Sequence, residues 1–319
     1  MTAITFLVPK RTTPTGGIKT IYKTSENLNS LGVESYVCHP DAPEFSCTGF
    51  DHQALLRSNL NFNLENDFIV IPEIWAATYG PQCYALGIKY AIYVQGGYLI
   101  NTQIGPVQSE YDLKLSYEKA SLIMAVSEDT AKMVSLAFPD IHKDKIIRIY
   151  PYLSEHFFSA KKNNLITYMP RRLPQHSDYV CFLLKQHLPQ DWKVIPIDNK
   201  SELEVIEILS KSAIFMSFSD QEGFGLPPLE AGLSGNIVVG YHGQGGGEYF
   251  EKPIFRAVEH GNFQSYIREV LIALDATKAG VHTSRIFQEA INKIRDKNSH
   301  ENQLKYLEVF SNKVSKIFQ

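Results

Sequence analysis

The chain has 319 residues, of which 44% are apolar and 20% charged, and its formal net charge is −3. This length exceeds what one hydrophobic core usually serves, so we expect two domains of ordinary size. The composition excludes a disordered chain, and the nearly balanced charge, without long runs of one sign, argues against a dedicated nucleic-acid binder. A local basic pocket is still compatible with this balance.

The four cysteines are scattered and form no CxxC pair, which argues against a zinc site and favours free thiols in a reducing compartment. They are Cys38, Cys47, Cys83 and Cys181. The apolar segment that starts at Ile4 is too short for a signal peptide and lacks a basic flank. No apolar run reaches the ~20 residues that a transmembrane helix needs. We therefore expect a cytoplasmic protein.

Apolar runs of strand length alternate with helical patterns, which is typical of a parallel α/β architecture. In the first half, the predicted strands are Ile4–Val8, Glu34–Cys38, Asp67–Ile71, Tyr90–Val94, Leu122–Val126 and Ile146–Ile149. The predicted helices include Gly17–Leu31, closed by Gly32, and Glu128–Ala137, with Ser127 as its N-cap.

A polar segment, Tyr152–Asn164, interrupts the alternation and is predicted to be an interdomain linker. The pattern then resumes with strands at Leu165–Met169, Lys193–Ile197, Ala213–Ser217 and Ile237–Tyr241, and with helices at Ser177–Leu188, Ser201–Ser210, Leu226–Ser234 and from Phe263 onward. The sequence thus predicts two Rossmann-like, doubly wound α/β domains facing across a cleft, residues 1–158 and 159–319, with a last helix that can pack back on the first. Ligands are then expected in the crevice at the carboxyl ends of the strands.

The most specific pattern follows one of these strands and reads Glu222-Gly-Phe-Gly-Leu-Pro-Pro-Leu-Glu230. Glycines let the backbone approach a ligand closely, and N–H groups at a helix start favour a phosphate. Prolines early in the helix leave those groups unobstructed. The two glutamates bracket the turn, and carboxylates accept hydrogen bonds from sugar and ribose hydroxyls. The structural alternative is a tight connection with a solvated Glu222 and a dipole-stabilising Glu230.

This string resembles the Glu-x7-Glu motif of retaining glycosyltransferases with the GT-B fold, especially those of glycosyltransferase family 4. The resemblance implies that Glu222 contacts hydroxyls of the transferred sugar and that Glu230 holds the ribose of the nucleotide. It also implies that backbone amides serve the sugar and the diphosphate, namely those of Gly223, Phe224, Gly225 and Leu226. The order of predicted elements agrees with this fold along nearly the whole chain.

Two further segments suggest groups that hold the diphosphate. Thr15-Gly-Gly-Ile18 follows the first strand, where the family has a glycine-rich loop, so Gly16 and Gly17 are donor-site candidates; a simple tight turn is the alternative. In Met169-Pro-Arg-Arg172, the family's usual lysine and glycine-containing loop are absent. Arg171 or Arg172 is nevertheless the candidate phosphate ligand, because a guanidinium fork suits bidentate binding. Two surface arginines are the alternative.

A glycine-rich segment, Gly243-Gln-Gly-Gly-Gly-Glu248, resembles the Gly-Gly-x-x-Glu turn that the family has after the corresponding strand. So many glycines suit a loop that moves or passes close to a ligand, rather than a flexible loop without a partner.

Candidates for contacts to the acceptor end two strands of the first domain. Ile71-Pro-Glu-Ile-Trp75 contributes Glu73, and Tyr93-Val-Gln-Gly-Gly-Tyr98 contributes Gln95 and Tyr98. The family often has His or Asp at these places, so no firm role carries over, and packing explains Tyr98 equally well. The sequence has no HExxH motif and no suitable Asp-x-Asp string, which agrees with metal-independent chemistry.

The sequence therefore predicts a retaining hexosyl- or deoxyhexosyltransferase whose donor is a nucleoside-diphosphate sugar and which needs no further cofactor. A glycan or lipid-linked acceptor, and a role in surface polysaccharide synthesis, follow only by analogy. Peripheral membrane contact is compatible with Ile286–Phe318, where Lys and Arg alternate with apolar residues, although a helix packed on the core explains this too.

Other functions stay open at this stage. Nucleotide-sugar epimerases and glycogen-phosphorylase-like enzymes share the fold, but their characteristic acid and histidine set or pyridoxal lysine is not visible. A non-catalytic subunit that binds a nucleotide sugar would show binding without turnover. A DNA-modifying glycosyltransferase is disfavoured by the charge balance, although a cleft can be basic in a protein that is not.

Overall fold

The computed structural model describes residues 2–13, 15–102, 105, 109–151 and 153–319. The chain divides into two compact units, one formed by Met1–Tyr152 with His300–Gln319 and the other by Leu153–Ser299. Each unit is built on one parallel sheet with helices between successive strands. The predicted fold class, α/β with two doubly wound parallel sheets, is confirmed.

The first unit contains six parallel strands, β1 Ala3–Leu7, β2 Ser35–Cys38, β3 Asp67–Pro72, β4 Lys89–Val94, β5 Leu122–Ala125 and β6 Ile146–Arg148. Four helices accompany them, α1 Gly16–Ser30, α2 Ala76–Ala85, α3 Glu110–Lys119 and α4 Glu128–Ala137. The strand order is β2-β1-β3-β4-β5-β6. Every residue of β3 is buried, because helices cover both faces of a parallel sheet, and its one charged residue, Asp67, forms an ion pair with Arg57.

Local signals in the sequence set the ends of the helices in this unit. The Thr15 side chain caps α1 by accepting a hydrogen bond from the Ile18 N–H group, and Gly32, with φ +76°, follows its end. Ser127 caps α4 as predicted, accepting from the Thr130 N–H group at 2.9 Å.

The second unit contains five parallel strands, β7 Leu165–Tyr168, β8 Lys193–Pro196, β9 Ile214–Glu222, β10 Ile237–Gln244 and β11 Phe255–Ala257. Its helices are α5 Pro174–Leu184, α6 Glu202–Lys211, α7 Leu226–Leu233, α8 Phe263–Lys278 and α9 Arg285–Lys297. The strand order is β11-β10-β9-β7-β8, so the direction of winding reverses between β7 and β9.

The last helix, α10 His300–Ile317, packs on the first unit. Phe310 is fully buried, with its ring centroid 6.3 Å from that of Phe68 in β3. The Gln303 side chain joins two elements, since its carbonyl accepts from Asn27 of α1 at 2.8 Å and its amide donates to the Tyr150 carbonyl at 3.0 Å. Apolar burial and a buried amide network thus both hold α10 in place.

Two strands differ from their predicted extents. The predicted strands Ala213–Ser217 and Ile237–Tyr241 continue to Glu222 and Gln244, where these two residues are paired across a bulge between His242 and Gln244. The additional residues of these strands are mostly polar and their pairing is irregular, so this part of the sequence resembled a loop. The short strand β11 was not predicted.

None of the described helices is long and apolar enough to cross a membrane. All four cysteines are free thiols; Cys38, Cys47 and Cys83 are buried, and Cys181 is half-buried.

Candidate functional site

The candidate site of the second unit lies where the winding of its sheet reverses, at the carboxyl ends of β7 and β9. The loops that leave two such strands run in opposite directions and leave a crevice between them, which is the usual ligand position in doubly wound sheets. Here the loop after β7 carries Arg171 and Arg172, while Glu222 is the last residue of β9 and Gly223 begins the turn that follows. The topology therefore brings the two sequence motifs together.

A small cavity of about 50 Å³ lies between these loops. Its lining includes both arginines, Glu222, Ser219 at the end of β9, and Pro228 at the start of α7. The Nε atom of Arg172 lies 2.9 Å from Oε1 of Glu222, in an ion pair whose arginine side chain is 54% exposed and whose glutamate side chain is 23% exposed. An exposed guanidinium and a half-buried carboxylate thus share one wall of the cavity.

The turn between β9 and α7 presents the start of the helix to this edge of the sheet. Gly225 is the residue before α7 and has φ +80°, a left-handed conformation that favours glycine. Pro227 occupies the first turn, where a missing N–H group costs little. Glu230 is the fifth helical residue and therefore lies on the second turn rather than the first. Because Pro227 and Pro228 have no N–H group, only Gly225 and Leu226 offer N–H groups at the start of the helix, and neither has a partner within it.

The glycine-rich segment packs directly against this turn. A Cβ on Gly245 would overlap the Gly223 carbonyl group and lie 2.6 Å from the Glu222 carbonyl oxygen. A Cβ on Gly243, which has φ +63°, would lie 3.1 Å from Cβ of Glu222. Only residues without side chains permit this approach, so the glycines are explained by close contact between two loops.

The far end of α7 is held by a half-buried lysine and a buried histidine. The Lys162 ammonium donates to the carbonyl of Ser210, at 2.9 Å, and to that of Ser234, just after α7. Burial lowers the pKa of Lys162 to about 7. Nδ1 of His282 lies 2.9 Å from the next carbonyl, that of Gly235. The helix that bears the motif is therefore anchored at its carboxyl end.

In the first unit, some of the predicted site residues lie close together at the carboxyl ends of β1 and β3, the position in this sheet that corresponds to β7 and β9 in the second. Gly16 and Gly17 begin α1, and the Gln95 side-chain amide donates to the Gly17 carbonyl at 3.0 Å. The next residue, Gly96, donates its N–H group to Oε1 of Glu73 at 2.9 Å. A continuous set of contacts therefore links Glu73 to the start of α1 through Gln95 and Gly96.

Tyr98 lies apart from this set. Its hydroxyl donates to Oδ2 of Asp129 in α4 at 2.9 Å, and burial together with this carboxylate raises the pKa of Tyr98 to about 12. The side chain is half-buried. The structure therefore ties Tyr98 to α4 and does not bring it into the contacts between Glu73 and Gly17.

Glu73 is buried, with 4% of its surface exposed. Burial raises its pKa to about 7, and this effect is opposed by the backbone N–H groups of Glu73, Gln95 and Gly96. Because the ordinary pKa of a glutamate is 4.5, the folded protein keeps a proton between pH 4.5 and 7 that the unfolded chain has lost. The stability that this proton confers is complete below pH 4.5 and is lost as the pH rises through 7.

We predict that Glu73→Gln flattens this dependence. A shift from 4.5 to about 7 corresponds to roughly 3 kcal/mol over the full window. The difference in unfolding free energy between variant and wild type should therefore grow in favour of the variant from pH 5 to pH 8, as measured by urea unfolding. The exposed Glu65, changed to Gln, serves as the control and should give a constant difference. A constant difference for Glu73→Gln as well would contradict the prediction.

Two residues near the motif were not predicted from the sequence. Tyr249 contacts the motif itself, and Lys162 contacts the carboxyl end of its helix. Tyr249 is 6% exposed, and its hydroxyl donates to the Gly225 carbonyl. The only sequence signal for Tyr249 is its position directly after Glu248. Lys162 lies in the polar segment that was interpreted only as a linker.

Among the residues that the structure describes, no three His, Cys, Asp or Glu side chains are grouped so that they could hold a metal ion.

No family model matches the chain. A curated relative, an alpha-1,6-glucosyltransferase of Actinobacillus pleuropneumoniae serotype 7 (strain AP76), is 27% identical over 135 residues, which are 40% of this chain and 41% of the relative. The match therefore spans less than half of either protein.

Solved structures are similar along almost the full length. Sucrose-phosphate synthase from Thermosynechococcus elongatus gives a TM-score of 0.72 at 10% identity, covering 99% of this chain and 100% of its own. Anabaena HepE, in complex with UDP-glucose, gives 0.67 at 12% identity, covering 98% and 100%. The catalytic domain of starch synthase IV from Arabidopsis thaliana, bound to ADP and acarbose, gives 0.61 at 11% identity, covering 98% and 99%. The chain therefore has the GT-B fold of these glycosyltransferase structures.

Proposed function

We propose that this protein is a glycosyltransferase that moves a sugar from a nucleoside-diphosphate sugar to a hydroxyl acceptor with retention of configuration. The observation that carries the proposal is the convergence of Arg171, Arg172 and Glu222 with the start of α7, at the point where the second sheet reverses its winding. Two cationic side chains, the N–H group of Leu226 at the helix start and a carboxylate at one edge match the parts of such a donor: a diphosphate and a sugar.

Each part of the donor has a proposed partner. The diphosphate is held by Arg171 or Arg172 and by the N–H groups from Gly223 to Leu226. Glu222 accepts hydrogen bonds from hydroxyls of the transferred sugar. Glu230, on the second turn of α7, holds the ribose. The cavity has the volume of one or two waters, so it fits a phosphate oxygen or a sugar hydroxyl and is only a corner of the site.

The reaction breaks the bond between the anomeric carbon and the diphosphate oxygen and forms a bond to the acceptor oxygen. Negative charge grows on the diphosphate as it leaves, and the arginines and helix N–H groups stabilise that charge. The acceptor hydroxyl attacks from the face that the leaving group vacates, and its proton passes to the departing phosphate oxygen. Glu222 then positions the sugar and does not form a covalent intermediate. This chemistry needs no metal ion or further cofactor.

The ion pair between Arg172 and Glu222 joins two side chains that are proposed to bind different parts of the donor. At 2.9 Å the guanidinium satisfies one carboxylate oxygen that the sugar is proposed to use. Both side chains are accessible to solvent, so the pair contributes little to stability and can exchange partners readily. A bound diphosphate would draw the guanidinium toward itself and free the Glu222 oxygen for a sugar hydroxyl.

The acceptor side is proposed for the first unit, where Gln95 and Tyr98 follow a strand and the buried Glu73 holds the Gly96 N–H group between them. We infer a glycan or lipid-linked acceptor and a role in surface polysaccharide synthesis. UDP-glucose is the first donor to test, because HepE was solved with it and the curated relative is a glucosyltransferase. Peripheral contact with a membrane is proposed through the Lys and Arg residues of α9 and α10 alone, because apolar residues of these helices such as Phe287 and Phe310 are buried in the protein.

The donor site is tested by a thermal-shift screen of the wild type and of Glu230→Ala against UDP, GDP, ADP, dTDP, CMP and their sugar conjugates. A ligand at 100 times its Kd adds about 2.7 kcal/mol of stability, which raises the melting temperature measurably. We expect one nucleotide to stabilise the wild type and to lose that effect in Glu230→Ala. Absence of any shift with all of them would contradict a nucleotide-sugar donor, and binding without turnover would instead indicate a non-catalytic subunit.

A further inference from the structure

One buried tyrosine lies beneath the proposed donor site and belongs to no sequence motif. Tyr249 follows the short helical turn Gly245–Glu248. Its ring packs among aromatic side chains, with centroid distances of 5.4 Å to Phe224 and 5.2 Å to Phe255. This packing fixes the direction of the ring, and with it the place of the hydroxyl.

The hydroxyl lies between the two loops of the site. It donates a hydrogen bond to the carbonyl of Gly225. A Cβ on Gly225 would lie 3.0 Å from this hydroxyl, and a Cβ on Gly246 would lie 3.1 Å from it. The tyrosine therefore occupies space that one glycine from each loop leaves open, and it joins the glycine-rich segment to the turn before α7.

The surroundings keep this hydroxyl protonated. Burial raises the pKa of Tyr249 well above its ordinary value, and the negative charges of Glu222, Glu230 and Glu248 raise it further. A protonated phenol has one hydrogen to donate, and here that hydrogen goes to the Gly225 carbonyl. Both glutamates of the motif are thus close enough to influence one buried side chain.

The hydrogen bond from Tyr249 to the Gly225 carbonyl also affects the N–H group of the same peptide. A trans peptide is planar, so its carbonyl and its N–H group point in opposite directions. The carbonyl of Gly225 and the N–H group of Leu226 belong to one peptide. With the carbonyl held inward by Tyr249, the N–H group of Leu226 is directed away from the tyrosine. It is also the first N–H group of α7 and has no partner within the helix.

We propose that Tyr249 is a positioning residue of the donor site: its hydroxyl holds the Gly225 carbonyl away from the diphosphate and directs the Leu226 N–H group toward it. The inference rests on the proposed function and adds a residue to it. Without the hydroxyl, the peptide can rotate, which would turn a carbonyl oxygen toward an anionic ligand and remove a donor at once. Tyr249 would not itself contact the substrate.

The test compares Tyr249→Phe with Tyr266→Phe by calorimetric titration with UDP and UMP at 15 °C. Tyr266 is a matched control, because it is fully buried in the same unit and its hydroxyl lies 3.0 Å from the Ser217 carbonyl and 3.1 Å from that of Val239. Both variants lose one buried hydroxyl and should lower the melting temperature. Only Tyr249→Phe should weaken UDP binding, by about tenfold, and so reduce the preference for UDP over UMP.

The outcomes separate the two proposals. If both variants bind UDP as the wild type does, the role of Tyr249 is structural and the inference is overturned, while the proposed function stands. If the wild type binds neither UDP nor the other nucleoside diphosphates of the screen, the proposed function fails, and the inference fails with it. A tenfold loss shared by both variants would indicate a general effect of destabilisation and would also overturn the inference.

Discussion

Replacing Glu222 with Gln should lower the transfer rate by about 10²- to 10³-fold, the usual effect of removing one well-placed electrostatic contact in a transition state. Gln keeps the shape of the side chain but lacks the negative charge with which a carboxylate holds the hydroxyls of an oxocarbenium-like sugar. The fold should survive, because the ion pair with Arg172 is partly exposed to solvent and worth about 1 kcal/mol or less. Initial rates with UDP-glucose and the melting temperature measure the two effects.

A matched control comes from another ion-paired glutamate of the same unit. Glu269 accepts from Arg256 at 2.8 Å, and both side chains are less than one-fifth exposed. Glu269→Gln should cost more stability than Glu222→Gln and leave the transfer rate unchanged. Measurement of Glu222→Gln in an Arg172→Met background shows whether Glu222 acts only by holding that arginine. A rate for Glu222→Gln equal to that of the wild type would exclude Glu222 from the site.

Gly245→Ala should disrupt the contact between the glycine-rich segment and the turn after β9. Its Cβ would overlap the carbonyl group of Gly223, which is backbone and cannot move aside as a side-chain end can. The glycine-rich segment and the turn after β9 must therefore separate. We expect a loss of about 1–3 kcal/mol in unfolding free energy, typical of overpacking, together with loss of nucleotide binding. Urea unfolding and calorimetric titration measure the two quantities.

Gly247 provides the control in the same segment. A Cβ on Gly247 has His242 as its nearest neighbour, at 3.7 Å, which is an ordinary contact. Gly247→Ala should therefore keep both stability and nucleotide affinity close to those of the wild type. Equal effects of the two substitutions would mean that flexibility of the segment, and not its contact with Gly223, is what matters.

The parts of the fold that the sequence revealed were those with local signals. Runs that are apolar after their first residue, such as Asp67–Ile71, indicated buried parallel strands, and Ser127 and Gly32 marked helix ends that the structure confirms. The spacing of Glu222 and Glu230 identified the turn before α7. These signals lie within a few residues of the feature that they predict.

The parts that could not be predicted depend on contacts between distant segments. The polar end of β9 becomes a strand only because Glu222 pairs with Gln244, twenty-two positions along the chain. Nothing near Tyr249 indicates that its hydroxyl reaches Gly225. The sequence showed Glu73 at the end of a strand, but its burial follows from the loop around Gly96 that encloses it. The roles of the individual site residues stay predictions until the variants are measured.

The most direct test of the central claim is the anomeric configuration of the first product. The protein is incubated with UDP-glucose, or with the donor identified by the screen, and a panel of glucoside acceptors, and proton NMR determines the anomeric configuration of the newly formed linkage. UDP-glucose is an α-glucoside of the diphosphate, and the account predicts an α-linked product with release of one UDP for each sugar transferred. A β-linked product would contradict retention. Binding of the nucleotide sugar without release of UDP would contradict glycosyl transfer.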